Sequence, residues 1–178
     1  MDTEYTNGER EFLLKTARLS IEKYLTRGDK LDVTTANQKL WEKRGVFVTL
    51  TRMGKLRGCV GYIEPTESLI VAVRDNAIAA ANDSRFINLQ VNELPSITIE
   101  ISILSQPEKV EYSEIESGDG IIIKKGERGA TFLPQVWQQL PEMEKFFSSL
   151  CLKAGMEENE YKLPGMDFYK YKALIFNS

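Results

Sequence analysis

Leu14, Ala17, Ile21, Tyr24 and Leu25 recur at helical spacing behind Thr6-Asn7-Gly8-Glu9, and Gly28 follows them. A threonine three residues before a glutamate is a capping-box arrangement, and a glycine just past the last apolar position is a helix stop. The pattern predicts an amphipathic helix over 9–27 and a shorter one over 34–42. The apolar period then changes. Val46 to Thr51 and Leu56 to Ile63 are rich in β-branched and aromatic residues, with Arg52-Met53-Gly54-Lys55 between them and Pro65 after them, which predicts a β-hairpin. Leu69, Val73, Ala77 and Ala80 mark a helix over 67–82 with Thr66 as its cap. ITIEISI at 97–103 alternates strictly, as a half-buried strand does.

Further strands are expected at 121–124 and 129–133, separated by glycine turns at 118–120 and 126–129. Met143, Phe146, Phe147, Leu150, Cys151 and Ala154 fall on one face of a helix over 142–154, closed by Gly155. FYKYKALIF at 168–176 reads as a final strand. Hairpins and helices in this order give an α+β fold with a mostly antiparallel sheet and flanking helices. With 178 residues and no linker, the expected organisation is a single domain over 1–178.

Charge narrows the function classes. The chain carries a net charge of -3 and a pI near 5.3, with no basic stripe, which argues against a nucleic-acid partner. Its apolar runs are too short for a membrane span, its first residues are polar and acidic, and its two cysteines are far apart, so a cytoplasmic location is expected. There is no histidine. Ser-His-Asp triads, Cys-His dyads and the usual hydrolytic zinc sites are therefore excluded, and no P-loop or G-x-G-x-x-G pattern is present. No metal or cofactor is expected.

LRGCVG, residues 56–61, holds the chief candidate chemistry. In a regular strand Leu56, Gly58, Val60 and Tyr62 share the core face, and Arg57, Cys59 and Gly61 share the other. A guanidinium beside a thiol favours the thiolate, and Gly61 would leave room at the sulfur for a ligand. The competing reading is structural: a covered face, an inert Cys59 and glycines that mark close packing or a bulge. Cys151, on the apolar stripe of its helix, reads as core. Asp83 and Arg85 could flank a pocket for an anionic group, or pair with one another.

GVFVTL, LRGCVG, NDSRF, ELP, ISILSQPE, TFLPQVW and FFSSLCLKAG, in this order, resemble the AMMECR domain, also called AmmeMemoRadiSam system protein A. The resemblance runs from about Gly45 to the last strand. It implies a two-lobed α+β fold with a cleft near the LRGC motif, no established reaction, and genomic association with a Memo-like protein and a radical SAM protein. Carried over by position, the motif residues are Leu56, Arg57, Gly58, Cys59 and Gly61, then Asp83, Arg85 and Phe86, then Leu133, Pro134, Gln135 and Val136. Where the family often has two prolines after Arg-Phe, this chain has Ile87 and Asn88, so the binding geometry around Arg85 need not be shared. Two functions follow. One is a non-catalytic accessory protein that acts with Memo-like and radical SAM partners. The other is a cleft enzyme in which Arg57 activates Cys59 toward a small-molecule ligand, with Gly58, Gly61, Asp83, Arg85, Phe86 and Gln135 as binding residues and a carboxylate such as Asp83 moving the proton.

Overall fold

The computed structural model describes residues 5–178. Its contacts divide the chain into two compact units, one formed by residues up to Leu104 together with Leu174–Ser178, the other by Ser105–Ala173.

The first unit opens with α1 (Asn7–Arg27). Thr6 and Glu9 form the expected reciprocal cap: the Thr6 N–H donates to Glu9 Oε2 at 2.6 Å, and the Glu9 N–H donates to Thr6 Oγ1 at 3.3 Å. Gly28 ends the helix at φ 74°, where a side chain would be strained. Two expectations need correction. The helix over 34–42 is only a 3₁₀ turn, Gln38–Trp41, capped by Asn37. The second helix, α2 (Leu69–Ala81), is preceded by Ser68 rather than Thr66: its first turn is closed by the Ala72 N–H donating to the Ser68 carbonyl at 2.8 Å.

β1 (Val46–Arg52) and β2 (Lys55–Tyr62) form the expected hairpin, and β1 pairs on its other side with β3 (Ile97–Leu104). With β8 (Ala173–Asn177) the sheet order is β2-β1-β3-β8, so β2 is an edge strand. The register sets the two faces. Rows Gly58–Leu50–Ile99, Val60–Val48–Ile101 and Tyr62–Val46–Ile103 form one face, and their β1 and β3 members are buried. Rows Gly61–Phe47–Ser102, Cys59–Thr49–Glu100 and Leu56–Thr51–Thr98 form the other. Helix α2 packs on β1 and β2, with Leu69, Val73, Ala77 and Ala80 fully buried.

The hairpin is not regular. Leu50 pairs with Gly58 but Thr51 pairs with Leu56, so Arg57 is an extra residue in a β-bulge. The bulge moves Leu56 off the core face expected for it. Its side chain is 45% exposed on the side of Thr51 and Cys59.

The second unit holds β4 (Glu108–Val110), β5 (Gly120–Lys125), β6 (Arg128–Phe132), α3 (Met143–Lys153) and β7 (Asp167–Tyr171), in sheet order β4-β7-β5-β6. Phe146, Phe147, Leu150 and Cys151 of α3 are fully buried, as the stripe predicts, and Trp137 stacks on Phe146 at 3.7 Å.

The single strand expected over 168–176 is two strands, β7 and β8, in two different sheets. Lys172 marks the break. Its N–H donates to Ser105 Oγ at 2.9 Å and its carbonyl accepts the Ser105 N–H at 2.8 Å, so its backbone leaves both ladders. The short strand β4 has no counterpart among the expected elements.

Candidate functional site

Cys59 sits on the edge strand with its backbone turned outward. Its N–H donates to Asp83 Oδ2 at 3.0 Å, and its carbonyl accepts from Arg85 Nη2 at 3.1 Å. An edge strand presents unpaired backbone groups that need partners. Here the Asp-x-Arg segment after α2 supplies one donor and one acceptor, as a neighbouring strand would.

The two clasp residues also bind each other. Asp83 Oδ2 accepts from Arg85 Nη2 at 2.6 Å, and Oδ1 accepts from Arg85 Nε at 3.0 Å and from the Arg85 backbone N–H at 3.1 Å. The Asp83 side chain is 6% exposed, whereas that of Arg85 is 59% exposed. The Arg85 guanidinium, helped by the backbone N–H groups of Cys59 and Arg85, holds the Asp83 carboxyl far below the usual carboxylate range against the opposing effect of burial. The Phe86 ring lies 5.6 Å from the Arg85 guanidinium.

Arg57, set out from the ladder by the bulge, turns to Glu93. Arg57 Nε and Nη2 donate to Glu93 Oε1 and Oε2 at 3.1 and 2.9 Å, a two-pronged pair. Glu93 also accepts from Arg52 Nη1 at 3.0 Å and from the Gln90 N–H at 2.9 Å. Arg57 is the leading reason that the Glu93 carboxyl is lowered to about 2. The segment 83–93 is thus tied to β2 at two places, at Cys59 through Asp83 and Arg85 and at Arg57 through Glu93.

The glycines of the motif serve close approach. A Cβ on Gly58 would collide with the carbonyl of Ala80 in α2. One on Gly61 would collide with the Val46 carbonyl and the Phe47 ring. The space expected beside the sulfur at Gly61 is therefore taken by Phe47, its partner across the hairpin. The Cys59 thiol is half-buried, and its Sγ lies 3.1 Å from Thr49 Oγ1.

Of the residues singled out in the sequence, Arg57, Gly58, Cys59, Gly61, Asp83, Arg85 and Phe86 lie in the first unit, gathered around β2 and the segment after α2. Gln135 lies in the second unit, on the 3₁₀ turn Pro134–Gln138, which seats the buried Trp137. The Trp137 indole N–H donates to the Asp119 carbonyl at 2.7 Å. Two residues of the network escaped sequence reasoning. Glu93 lies in the ELP segment, but its pairing with Arg57 spans 36 positions and has no local pattern. Thr49 faces Cys59 only through the hairpin register. Among the described residues, no group of three or more histidine, cysteine, aspartate or glutamate side chains lies together as a metal site would require, and no helix is long and apolar enough to cross a membrane.

An α+β protein with two antiparallel sheets and an LRGC strand clasped by Asp-x-Arg defines a recognisable class. The chain belongs to the AMMECR1 family, whose model matches residues 14–176. It is 38% identical to protein MK0488 of Methanopyrus kandleri over 193 residues, covering 99% of this chain and 91% of that one. It is also 38% identical to protein MJ0810 of Methanocaldococcus jannaschii over 180 residues, covering 94% of this chain and 89% of that one. The crystal structure of the uncharacterized protein PH0010 from Pyrococcus horikoshii superposes with a TM-score of 0.88 at 35% identity, covering 94% of this chain and 90% of that one.

Proposed function

We propose that this protein is a non-catalytic accessory protein that binds partners, with the Memo-like and radical SAM proteins of the family's genomic neighbourhood as the partners to test. The observation that supports this reading is that the polar side chains of the motif bind one another. Asp83 accepts four hydrogen bonds from Cys59 and Arg85, and Glu93 engages Arg57 with both oxygens. A carboxylate held this far below its ordinary range is a poor proton acceptor near neutral pH. On this reading LRGC and Asp-x-Arg form a clasp that fixes the edge of a sheet.

A second reading rests on the half-buried Cys59 thiol beside Thr49. It makes Cys59 a nucleophile toward a small molecule. The arginine that reaches Cys59 is Arg85, through the backbone carbonyl, while Arg57 is turned to Glu93.

The deciding experiment is co-elution of the purified chain with the purified Memo-like and radical SAM proteins of the same genome, each alone and both together. A stable complex that survives Cys59→Ser supports the accessory reading. No complex in any combination overturns it. A complex that depends on the Cys59 sulfur points to the thiol reading instead.

A further inference from the structure

The first sheet has two edges, β2 and β8. Edge strands are kept from pairing with other chains by charges, prolines, bulges, shortness or a covering segment. β2 has the Arg57 bulge and the clasp of Asp83 and Arg85. The edges of the second sheet are guarded as well. β4 is three residues long and carries Glu108 and Lys109. β6 carries Arg128, and its Thr131 carbonyl is taken by Lys153 Nζ at 2.9 Å. β8, Ala-Leu-Ile-Phe-Asn, has no proline and no charge. Among the described residues it is the one strand of either sheet without a charged side chain.

The backbone of β8 shows what this edge lacks. The Ser178 N–H donates to the Ile99 carbonyl at 2.9 Å, and groups that face a neighbouring strand recur at every second residue. Phe176 and Leu174 therefore also face β3, and the N–H and C=O groups of Ala173, Ile175 and Asn177 point away from it. No further strand lies beyond β8, and those outward groups have no hydrogen-bond partner among the described residues. Leu174 and Phe176 pack with the core, whereas Ile175 is half-buried and Asn177 exposed. Outward amides at this spacing are satisfied by another extended strand.

We infer that β8 pairs with β8 of a second copy of this chain, antiparallel about a two-fold axis at Ile175, and joins two four-stranded sheets into one. The strand complements itself in that register. Ile175 lies opposite Ile175 of the other copy and Ala173 opposite Asn177, so every outward group is used, in about six hydrogen bonds. On the core face Leu174 lies opposite Phe176, an apolar pair, and no charge on the strand meets its own copy. The charged neighbours are held within each chain. Lys172 is bound by Asp119, and Arg18, which reaches Ser178 Oγ, donates to the carbonyls of Leu94 and Ile97.

This pairing consumes both open edges, so assembly closes at two chains. It is independent of the partner-binding reading, because the LRGC motif lies on β2, at the opposite edge of the sheet. Seven strand spacings separate the two β2 strands of the joined sheet, which sets the two motifs roughly 34 Å apart.

The test is sedimentation velocity on the purified chain from about 5 to about 500 µM, with amide hydrogen exchange at both ends of that range. An interface of one strand pair is small, so the expected dimer forms at micromolar concentration, with a mass rising from 20.3 kDa toward twice that value. The Ile175 and Asn177 amides should exchange freely in the dilute sample and be protected in the concentrated one, while the Phe176 amide, which faces β3, stays protected in both. Asn177→Pro removes an outward N–H at an exposed position, where an edge strand tolerates proline, and should leave the melting temperature of the dilute monomer unchanged. Ile175→Lys sets two like charges face to face. Each variant should weaken the dimer at least about tenfold. A chain that stays monomeric at about 500 µM overturns the inference. So does a dimer whose Ile175 and Asn177 amides still exchange freely, a dilute monomer in which they are already protected, a dimer untouched by both variants, or assembly beyond two chains.

Discussion

The carboxylate of Asp83 and the backbone N–H of Cys59 lie 3.0 Å apart, 24 positions from one another in the chain, and this contact closes the edge of a sheet. Asp83→Asn keeps the shape but removes the charge and turns one acceptor into a donor. We expect it to lower stability by about 1–3 kcal/mol, as loss of a charge-assisted bond in a buried setting does. Urea unfolding would measure the loss. Amide hydrogen exchange supplies the specific readout: the Cys59 N–H should lose protection far more than Val60 or Thr49.

The acid limb of stability should carry the mark of the same network. Glu93 has an ordinary value of 4.5 and is lowered to about 2 in the folded chain, chiefly by Arg57. Asp83 moves in the same direction, chiefly through Arg85. A carboxyl lowered by folding contributes stability that is fully present above its unfolded value and is lost as pH falls toward its folded value. The urea midpoint should therefore fall between about pH 5 and pH 2. In Glu93→Gln the protein should be weaker at pH 7 and its midpoint should fall less steeply over that window. An equally steep fall in the variant would remove Glu93 from the account.

Gly58→Ala tests the packing of α2 on the hairpin. The new methyl would meet the Ala80 carbonyl, a backbone atom that moves only if the helix moves. Overpacking of this kind costs about 1–3 kcal/mol. Gly8→Ala, whose methyl would meet nothing within 4 Å, is the control and should leave the melting temperature unchanged or raised.

The two cysteines should separate cleanly in alkylation. Cys59 is half-buried and Cys151 fully buried, and burial pushes the Cys151 thiol up from its ordinary range. Iodoacetamide should label Cys59 in the folded protein and Cys151 only as it unfolds, which peptide mass spectrometry can follow site by site. Equal labelling rates at the two sites would contradict this.

What the sequence made legible follows from the range of the interactions involved. The cap of α1, the Met53-Gly54 turn and the stripe of α3 depend on residues a few positions apart, and each is found where its pattern places it. The glycines of LRGCVG allowed for a bulge, but its place at Arg57 was not legible, because it shows only in the partner's register. That one residue moved Leu56 to the other face. The site was legible as a set of motifs but not as a circuit. Arg57, two residues from Cys59 and on the same face of a regular strand, suggested a pair, whereas the structure joins Arg57 to Glu93 and Cys59 to Asp83 and Arg85, over 36, 24 and 26 positions.

The reciprocal bonds between Ser105 and Lys172 have a consequence for how the chain is made. They stand where the chain passes into the second unit and out of it again, between β3 and β8, which are neighbours in one sheet. During synthesis the second unit, an unbroken run of residues, has all its parts before β8 has left the ribosome. The first unit must wait with one side of β3 uncovered, a strand that carries Ile97, Ile99, Ile101 and Ile103. An open, isoleucine-rich strand is a template for wrong pairing. The nascent protein is therefore most vulnerable to association in the interval between translation of Leu104 and release of Leu174, and a chaperone that shields β3 would act in that interval.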